Sequence, residues 1–228
     1  MSEEWCLYYW AGFPGRGEFL RLIFEEAGVK YTEVNDGTRL VSEIIQGQSD
    51  FFPHFAPPVI KKGNFTLSQA HVASRYLAEK FDMLPGNEVD NAHAEQINLD
   101  CHDYIADGRL AFHGIHNVGP YKSQKEETQP YIDRFIESRF PRWLKYFERA
   151  LVANGGGKGF IIGSKCCYAD LTLFHCLRAT ESQFPEAWAK ADYIPALKAY
   201  KERIASRPNI AAFLKSGRSL PFAGDSMM

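Results

Sequence analysis

Apolar residues recur in two patterns along the first third of the chain, and each change of pattern marks a predicted element. Short apolar runs predict strands, whereas apolar residues spaced three and four apart predict helices. Strands are predicted at 7–10, 30–34, 59–60 and 65–67, and helices at 16–28, 40–45 and 72–81. A tight turn at Lys62-Gly63-Asn64 makes the last two strands a hairpin. The predicted order is therefore β-α-β-α-β-β-α.

Helical spacing dominates the chain beyond the break at Leu84-Pro85-Gly86-Asn87, which predicts a linker. Helical stretches are predicted at 90–117, 129–153, 169–182, 195–205 and 208–216. The predicted fold class is an α/β domain over 1–83 followed by an all-α domain over 90–228.

Composition narrows the function classes. The formal net charge of -2 argues against nucleic-acid binding, which would need clustered Lys and Arg in clear excess. No apolar run approaches the ~18 residues of a membrane span, and Met-Ser-Glu-Glu-Trp at the start lacks the features of a secretory signal. The absence of such a run predicts that no membrane is a partner. The five cysteines are odd in number and scattered, which favours reduced thiols in a cytoplasmic protein.

Two adjacent tyrosines end the first predicted strand. Side chains alternate along a strand, so Tyr8 shares one face with Trp10 while Tyr9 shares the other with Leu7. The next residues, Phe13-Pro14-Gly15-Arg16, contain no cysteine, so the dithiol chemistry of a C-x-x-C corner is excluded there. Alternation alone does not say which tyrosine is structural.

Four segments resemble, in order, segments of the soluble glutathione transferases of the tyrosine type (sigma-, pi- and mu-like): YYW…GRGEFLRLIFEEAGVKYTEV, APPVIKKGNFTLSQAHVASRYLAEKF, FIIGSKCCYADLTLF and SRPNIAAFLKS. The resemblance covers essentially the whole chain. It implies a thioredoxin-like N-terminal domain, an all-helical C-terminal domain, and glutathione as co-substrate.

Glutathione must react as a thiolate, and the resemblance implies that Tyr9 is the catalytic residue that stabilises it. Lowering a thiol pKa of ~8.5 by about two units requires about 2.7 kcal/mol. A hydrogen bond to a charged group contributes roughly 1.5–3 kcal/mol, so one hydroxyl donor nearly suffices. Arg16 resembles an arginine that several members hold near glutathione. The corner from Tyr9 to Gly15 is one residue longer than in many tyrosine-type enzymes.

The remaining glutathione-binding residues implied by the resemblance are Pro57, Pro58, Gln69, Ala70 and Asp107. Pro58 matches the family's cis proline, but Pro57 before it has no N–H to offer the cysteinyl unit. Gln69 fits the Gln-Ser pair that binds the γ-glutamyl carboxylate, whereas Ala70 replaces the serine and leaves only helix N-terminal N–H groups. Asp107 resembles the aspartate that reaches the glutamyl ammonium across a dimer interface, and a solvated helix face is the alternative.

The resemblance predicts a cytoplasmic, homodimeric glutathione transferase that conjugates glutathione to hydrophobic electrophiles in detoxification. Its electrophile-binding residues are predicted to be Trp10, Tyr104, Phe112 and Tyr121. Two alternatives stay open: a transferase-like binding or structural protein with weak catalysis, suggested by Pro57, Ala70 and the long corner, and a glutathione-dependent peroxidase or isomerase. The electrophile is not identified by any motif.

Two further motifs carry no predicted chemistry. His113 and His116 have helical spacing, but no other residues complete a metal-ligand set, so no metal is expected. Cys167-Tyr168-Ala169-Asp170 matches a helix capping box with a thiol in place of the hydroxyl. A cysteine is a poor cap, so Asp170 is expected to start the helix in a structural role.

Overall fold

The computed structural model describes residues 4–114, 119–222, 224 and 226–227. Within these ranges the chain forms two compact units. The sheet unit comprises Met1–Leu84 with Arg207–Pro221, and the helical unit comprises Pro85–Ser206 with Phe222–Met228. Among the described helices, none is both long and apolar enough to cross a membrane.

The described part of the sheet unit contains four short strands, two helices between them, a third helix after β4, and one helix from the last part of the chain. The strands are β1 (Trp5–Tyr8), β2 (Tyr31–Val34), β3 (Val59–Lys62) and β4 (Phe65–Ser68). The helices are α1 (Glu18–Glu26), α2 (Gly37–Arg39, continued by a π-helical turn at Leu40–Ile45), α3 (Ala70–Lys80) and α10 (Pro208–Lys215). The element order is the predicted thioredoxin-like β-α-β-α-β-β-α.

The sheet has the strand order β2-β1-β3-β4, with β1 parallel to β2 and antiparallel to β3. Its two faces are covered by different helices. On one face the ring of Trp5 lies 5.8 Å from that of Phe24 in α1. On the other face Tyr8 and Val59 form a cluster with Leu40 and Ile44 of the second helical segment. Burial on both faces explains why the strands read as apolar runs.

Helix α10 belongs to the sheet unit, whereas the predicted domain division assigned all of 90–228 to the helical domain. Arg207, just before α10, forms an ion pair with Glu26 at the end of α1. The side-chain amide of Asn209 donates to the Glu26 carbonyl at 2.9 Å. These contacts join the segment 207–221 to the sheet unit, although it is distant from that unit in sequence.

The described part of the helical unit contains six α-helices: α4 (Glu88–His113), α5 (Lys125–Arg134), α6 (Phe140–Ala153), α7 (Tyr168–Gln183), α8 (Pro185–Lys190) and α9 (Pro195–Ala205). A π-helical turn at Phe135–Arg139 links α5 to α6. Helix α7 lies at the centre of this unit, since 12 of its 16 residues are buried. The predicted helix at 129–153 is interrupted by this turn, and α8 lacks a clear apolar period because it is only 6 residues long.

The start of α7 is held by the buried carboxylate of Asp170. Its Oδ2 accepts the Cys167 N–H at 2.8 Å, and its Oδ1 accepts the Ile161 N–H and the Tyr200 hydroxyl, each at 2.8 Å. Burial raises the pKa of Asp170, and the backbone N–H of Cys167 is the strongest opposing effect. The structural role expected for Asp170 is therefore seen in its contacts.

Candidate active site

The strand register brings three chain segments to one edge of the sheet. Tyr8 is paired with Val59, and Val59 is paired with Ser68, so the three residues form the last row of the ladder. The residues that continue from this row at the same edge are Tyr9, Pro58 and Gln69. Three residues predicted separately from the sequence therefore emerge side by side. Sequence patterns predicted the strands but not this register.

Tyr9 is buried beneath the short turn that precedes α1. Its hydroxyl accepts a hydrogen bond from the backbone N–H of Arg16 at 2.7 Å. A Cβ at Gly17 would lie 2.7 Å from two ring carbons of Tyr9, and one at Gly15 would overlap the hydroxyl oxygen. Both glycines therefore allow the backbone to approach the ring closely. A hydroxyl oxygen that accepts one N–H keeps its own proton and can still donate it.

The protonation state of Tyr9 follows from this environment. Burial raises the pKa of Tyr9 above its ordinary value, and the Arg16 backbone hydrogen bond is the largest opposing effect. The phenol is thus protonated at neutral pH. The N–H at its oxygen makes the O–H group a stronger donor, because linked hydrogen bonds polarise one another.

Arg21 fixes the turn above Tyr9 from within the sheet unit. Its guanidinium binds both carboxylate oxygens of Glu33 at 2.9 Å and donates to the Pro14 carbonyl at 2.8 Å. It also forms an ion pair with Glu18 at 3.3 Å and lies 5.7 Å from the centre of the Tyr9 ring. Bidentate pairing of this kind has strict geometry, so Arg21 positions the corner and, through it, the Arg16 N–H.

Tyr8 occupies the opposite face of the sheet, as strand alternation predicts. Its hydroxyl accepts from the Arg39 guanidinium at 3.4 Å, and Arg39 is also paired with Glu43 at 2.8 Å. Its ring belongs to the cluster with Leu40, against which Trp10 also packs. Burial is the largest cause of the raised pKa of Tyr8, and the negative charge of Glu43 is the next largest. Arg39 was missed by sequence reasoning, because nothing local distinguishes it from a solvated helix residue.

The corner between Tyr9 and α1 has an exposed part and a buried part. Ala11 and Gly12 are exposed, whereas Pro14 and Gly15 are buried against the unit. Gly12 adopts a φ of 92°, a left-handed conformation that favours glycine. The corner is therefore exposed at 11–12, whereas the turn over Tyr9 is buried.

The segments around Pro58 and Gln69 have unusual backbone geometry. The Pro57-Pro58 peptide bond is cis, and Gln69 has a φ of 66° although it is not a glycine. Gln69 precedes α3 without capping it through its side chain. Nearby, the Nδ1 atom of His54 lies 3.0 Å from the Ser68 hydroxyl. His54 was not predicted, because its contact with Ser68 spans two elements.

Asp107 is engaged within its own chain. Its Oδ2 accepts from the Arg139 Nε at 2.8 Å and from the Trp143 indole N–H at 2.8 Å. The predicted contact of Asp107 with the glutamyl ammonium of glutathione in a partner subunit would therefore be made in addition to these two hydrogen bonds. The solvated-face alternative does not describe it either, since its contacts are to specific side chains.

The residues predicted to hold the electrophile have different surroundings. Tyr104 is fully buried, its hydroxyl lies 2.9 Å from that of Thr180, and its ring packs against Phe147. Phe112 is buried as well, and its ring meets the half-buried ring of Tyr121 edge-on at 5.0 Å. Tyr104 and Phe112 are thus core residues, with almost no exposed surface for the predicted contact with an electrophile.

No cluster of three potential metal ligands occurs among the described residues. The ring Nδ1 of His113 lies 3.1 Å from the Gly119 carbonyl oxygen. His116 falls outside the described ranges.

Comparison with known proteins agrees with this architecture. The model of the family "Glutathione S-transferase, C-terminal domain" matches residues 111–217. A glutathione S-transferase of Plasmodium falciparum is 27% identical over 222 residues, covering 94% of this chain and 96% of that protein. Glutathione S-transferase P 1 of Xenopus laevis is 28% identical over 209 residues and 90% of each chain.

A solved Pi-class glutathione S-transferase of Onchocerca volvulus has the same fold. Its TM-score is 0.76 at 24% identity, and the alignment covers 94% of this chain and 93% of that one. The sheet unit and the helical unit thus have the fold of that structure. The chain is similar to glutathione S-transferases over most of its length.

Proposed function

We propose that this protein is a glutathione transferase that conjugates the glutathione thiolate to hydrophobic electrophiles. The observation that carries the proposal is the Tyr9 hydroxyl, which accepts the Arg16 N–H at 2.7 Å and retains a proton to donate. In the reaction the sulfur forms a bond to an electrophilic carbon and, with an aryl halide, halide leaves. The proton lost from the thiol passes to solvent.

Tyr9 acts by stabilising the thiolate. Its pKa is raised by burial, so at neutral pH it remains a donor and does not compete as an anion. A hydrogen bond to a charged acceptor contributes roughly 1.5–3 kcal/mol, which corresponds to a one- to two-unit fall in the thiol pKa.

The proposed glutathione site follows the sheet edge. Pro57 offers its carbonyl oxygen to the cysteinyl N–H, and Pro58 sets the direction of that carbonyl. Gln69 and Ala70 offer backbone N–H groups at the start of α3, where the helix dipole favours a carboxylate. Arg16 adds a positive charge near the thiolate. Because Pro57 lacks an N–H, one main-chain hydrogen bond to the tripeptide is missing.

Glycine at position 17 is required by this site. We expect Gly17→Ala to displace the Tyr9 ring, since the new Cβ would lie 2.7 Å from its carbons. Overpacking of this kind costs about 1–3 kcal/mol of stability. The conjugation rate should fall even where the variant remains folded. Gly159→Ala is the matched control, because an added Cβ there meets nothing within 4 Å. Equal conjugation rates in the two folded variants would contradict this packing argument.

We propose that the electrophile is bound by apolar side chains that include Trp10 and Tyr121. Tyr104 and Phe112 are left out of this set because both are buried. Asp107 is proposed to assist glutathione binding through a partner subunit while it remains paired with Arg139.

A homodimer is proposed as the working form. Support comes from Phe52 and Phe55, which are 76% and 90% exposed in the segment before β3. Aromatic side chains exposed to this extent are typical of protein interfaces. Phe55→Ser should weaken the dimer, which analytical ultracentrifugation would detect as monomer at low concentration. Val152→Ser is the control, since Val152 is exposed on α6. A wild-type monomer would contradict the dimer without affecting Tyr9's role.

We propose a cytoplasmic location and a detoxification role. The support for the location is that all five cysteines are free thiols, which is typical of a reducing compartment. The detoxification role follows from the proposed reaction with hydrophobic electrophiles.

The proposed function is tested by conjugation of glutathione to a nitroaryl chloride, together with calorimetric titration by glutathione. Conjugation above the uncatalysed rate and saturable binding are expected. Binding of millimolar or weaker affinity without turnover would instead favour the structural-protein alternative. Turnover of hydroperoxides alone would favour a peroxidase.

A further inference from the structure

One row of polar side chains crosses all four strands on the sheet face that carries Tyr8. The ladder pairs Thr32 with Cys6, Cys6 with Lys61, and Lys61 with Thr66. Residues paired in this way share a face of the sheet, and Cys6, two residues before Tyr8, has the same face as Tyr8. A thiol, an ammonium group and two hydroxyl groups therefore lie in one line. We call this line the Cys6 row.

Cys6 is the nucleophile of the row. Its side chain is only partly buried, whereas Cys101, Cys167 and Cys176 are buried. The Thr32 hydroxyl donates a hydrogen bond to the Cys6 sulfur at 3.2 Å. Thiol exchange requires an accessible sulfur that reacts as a thiolate. A hydroxyl that donates to the sulfur stabilises this charged form. Cys6 therefore combines access with charge stabilisation.

The other half of the row provides partners for an anionic group. Lys61 is half-buried, and its ammonium nitrogen lies 5.8 Å from the centre of the Phe51 ring. Thr66 is only 8% exposed, and its hydroxyl oxygen has no hydrogen-bond partner among the described residues. A buried hydroxyl without a partner is unfavourable, and a ligand group that reaches it supplies the missing bond. A carboxylate accepts hydrogen bonds from ammonium and hydroxyl groups alike, so the row suits a carboxylate.

The length of the row indicates the size of the ligand. Neighbouring strands lie about 4.8 Å apart, so the Thr66 backbone is about 10 Å from that of Cys6. An extended peptide spans about 3.3–3.6 Å per residue. A group of about three residues, attached at Cys6, therefore passes Lys61 and reaches Thr66.

We propose that Cys6 is a modification site that forms a mixed disulfide with a small, carboxylate-bearing thiol of about tripeptide length. The Cys6 thiolate attacks one sulfur of the disulfide form of that ligand, so a new S–S bond forms at Cys6 as the old one breaks. The other half of the ligand leaves as a thiolate, and the proton of the Cys6 thiol passes to solvent. Lys61 and Thr66 bind the attached half. The site lies on the opposite face of the sheet from Tyr9 and does not rest on the proposed function.

The test incubates the protein with glutathione disulfide and locates the attached group by mass spectrometry of its peptides. A glutathionyl group on Cys6 is expected in wild type. Cys166→Ser is the control, since Cys166 is also partly buried, and it should leave the rate at Cys6 unchanged. Cys6→Ser should carry no group in this segment. Attachment at Cys166 with none at Cys6 in wild type would overturn the proposal.

A second disulfide tests the recognition of charge. Lys61→Gln should slow the reaction of Cys6 with glutathione disulfide about three- to fivefold at low salt, the size of one exposed ion pair. The reaction with the uncharged hydroxyethyl disulfide should keep its wild-type rate. Lys62→Gln is the matched control, because Lys62 lies on the other face, 5.2 Å from the centre of the Trp5 ring. Equal slowing with both disulfides, or by both substitutions, would contradict the role of Lys61.

The stability of the mixed disulfide tests the role of Thr66. Thr66→Val keeps the size of the side chain but removes its hydroxyl. Dithiothreitol should release the glutathionyl group from this variant about threefold faster than from wild type, whereas the hydroxyethyl group should leave both at the same rate. Equal release of the glutathionyl group from both proteins would overturn the assignment of Thr66.

Discussion

Tyr9→Phe is expected to reduce kcat/KM for conjugation by about 10- to 100-fold, the equivalent of a hydrogen bond to a charged group. The substitution removes only the hydroxyl that accepts the Arg16 N–H, so the ring remains packed on Gly15 and Gly17. Steady-state kinetics at neutral pH measures the loss. The loss should become smaller as pH rises, because free glutathione then ionises without help.

Tyr8→Phe is the matched control for this substitution. The Tyr8 hydroxyl faces Arg39 on the other face of the sheet, so its removal should leave the kinetics close to those of wild type. A large loss in Tyr8→Phe with none in Tyr9→Phe would reverse the assignment. Equal losses in both would indicate a general disturbance of β1.

Asp170→Ala is expected to lower the free energy of unfolding by about 3–5 kcal/mol, because buried donors left without a partner cost about 1–3 kcal/mol each. The donors are the N–H groups of Ile161 and Cys167 and the hydroxyl of Tyr200. Denaturant unfolding measures the effect. Asp192→Ala, at an exposed position, is the control and should stay within about 0.5 kcal/mol of wild type.

The pH dependence of stability gives a second readout for Asp170. Burial raises its pKa in the folded state, so the folded chain binds this proton more tightly than the unfolded chain. The contribution of Asp170 therefore lowers the free energy of unfolding as the pH rises from the ordinary pKa of a carboxyl group to the raised pKa of Asp170 in the folded chain. Asp170→Asn should lose that part of the pH dependence. An Asp170→Ala variant as stable as Asp192→Ala would contradict the structural role.

Much of the sheet unit could be predicted because its elements have strong local signals. The predicted strand at 7–10 is displaced from the observed Trp5–Tyr8, since the chain turns into the corner directly after Tyr8. Tyr9 keeps one ladder-like bond, its N–H donating to the Val34 carbonyl at 3.1 Å. Alternation nevertheless separated Tyr8 from Tyr9 correctly, because it depends on spacing and not on the strand's ends.

Contacts between distant segments could not be predicted. Asp107 pairs with Arg139, which is 32 residues away in sequence, and neither residue has a local feature that identifies its partner. Tyr104 was predicted to bind the electrophile because aromatic side chains line apolar ligand sites as well as hydrophobic cores. Only tertiary packing, which buries it fully beside Thr180, distinguishes these two uses.

The central claim is that Tyr9 holds glutathione as a thiolate, and the ultraviolet absorbance of bound thiolate tests it most directly. Titrating the wild-type complex with base should give a thiol pKa about two units below the ~8.5 of an unperturbed thiol. In the Tyr9→Phe complex the pKa should return most of the way to that value. A bound thiol that titrates like free glutathione in the wild-type complex would contradict the account.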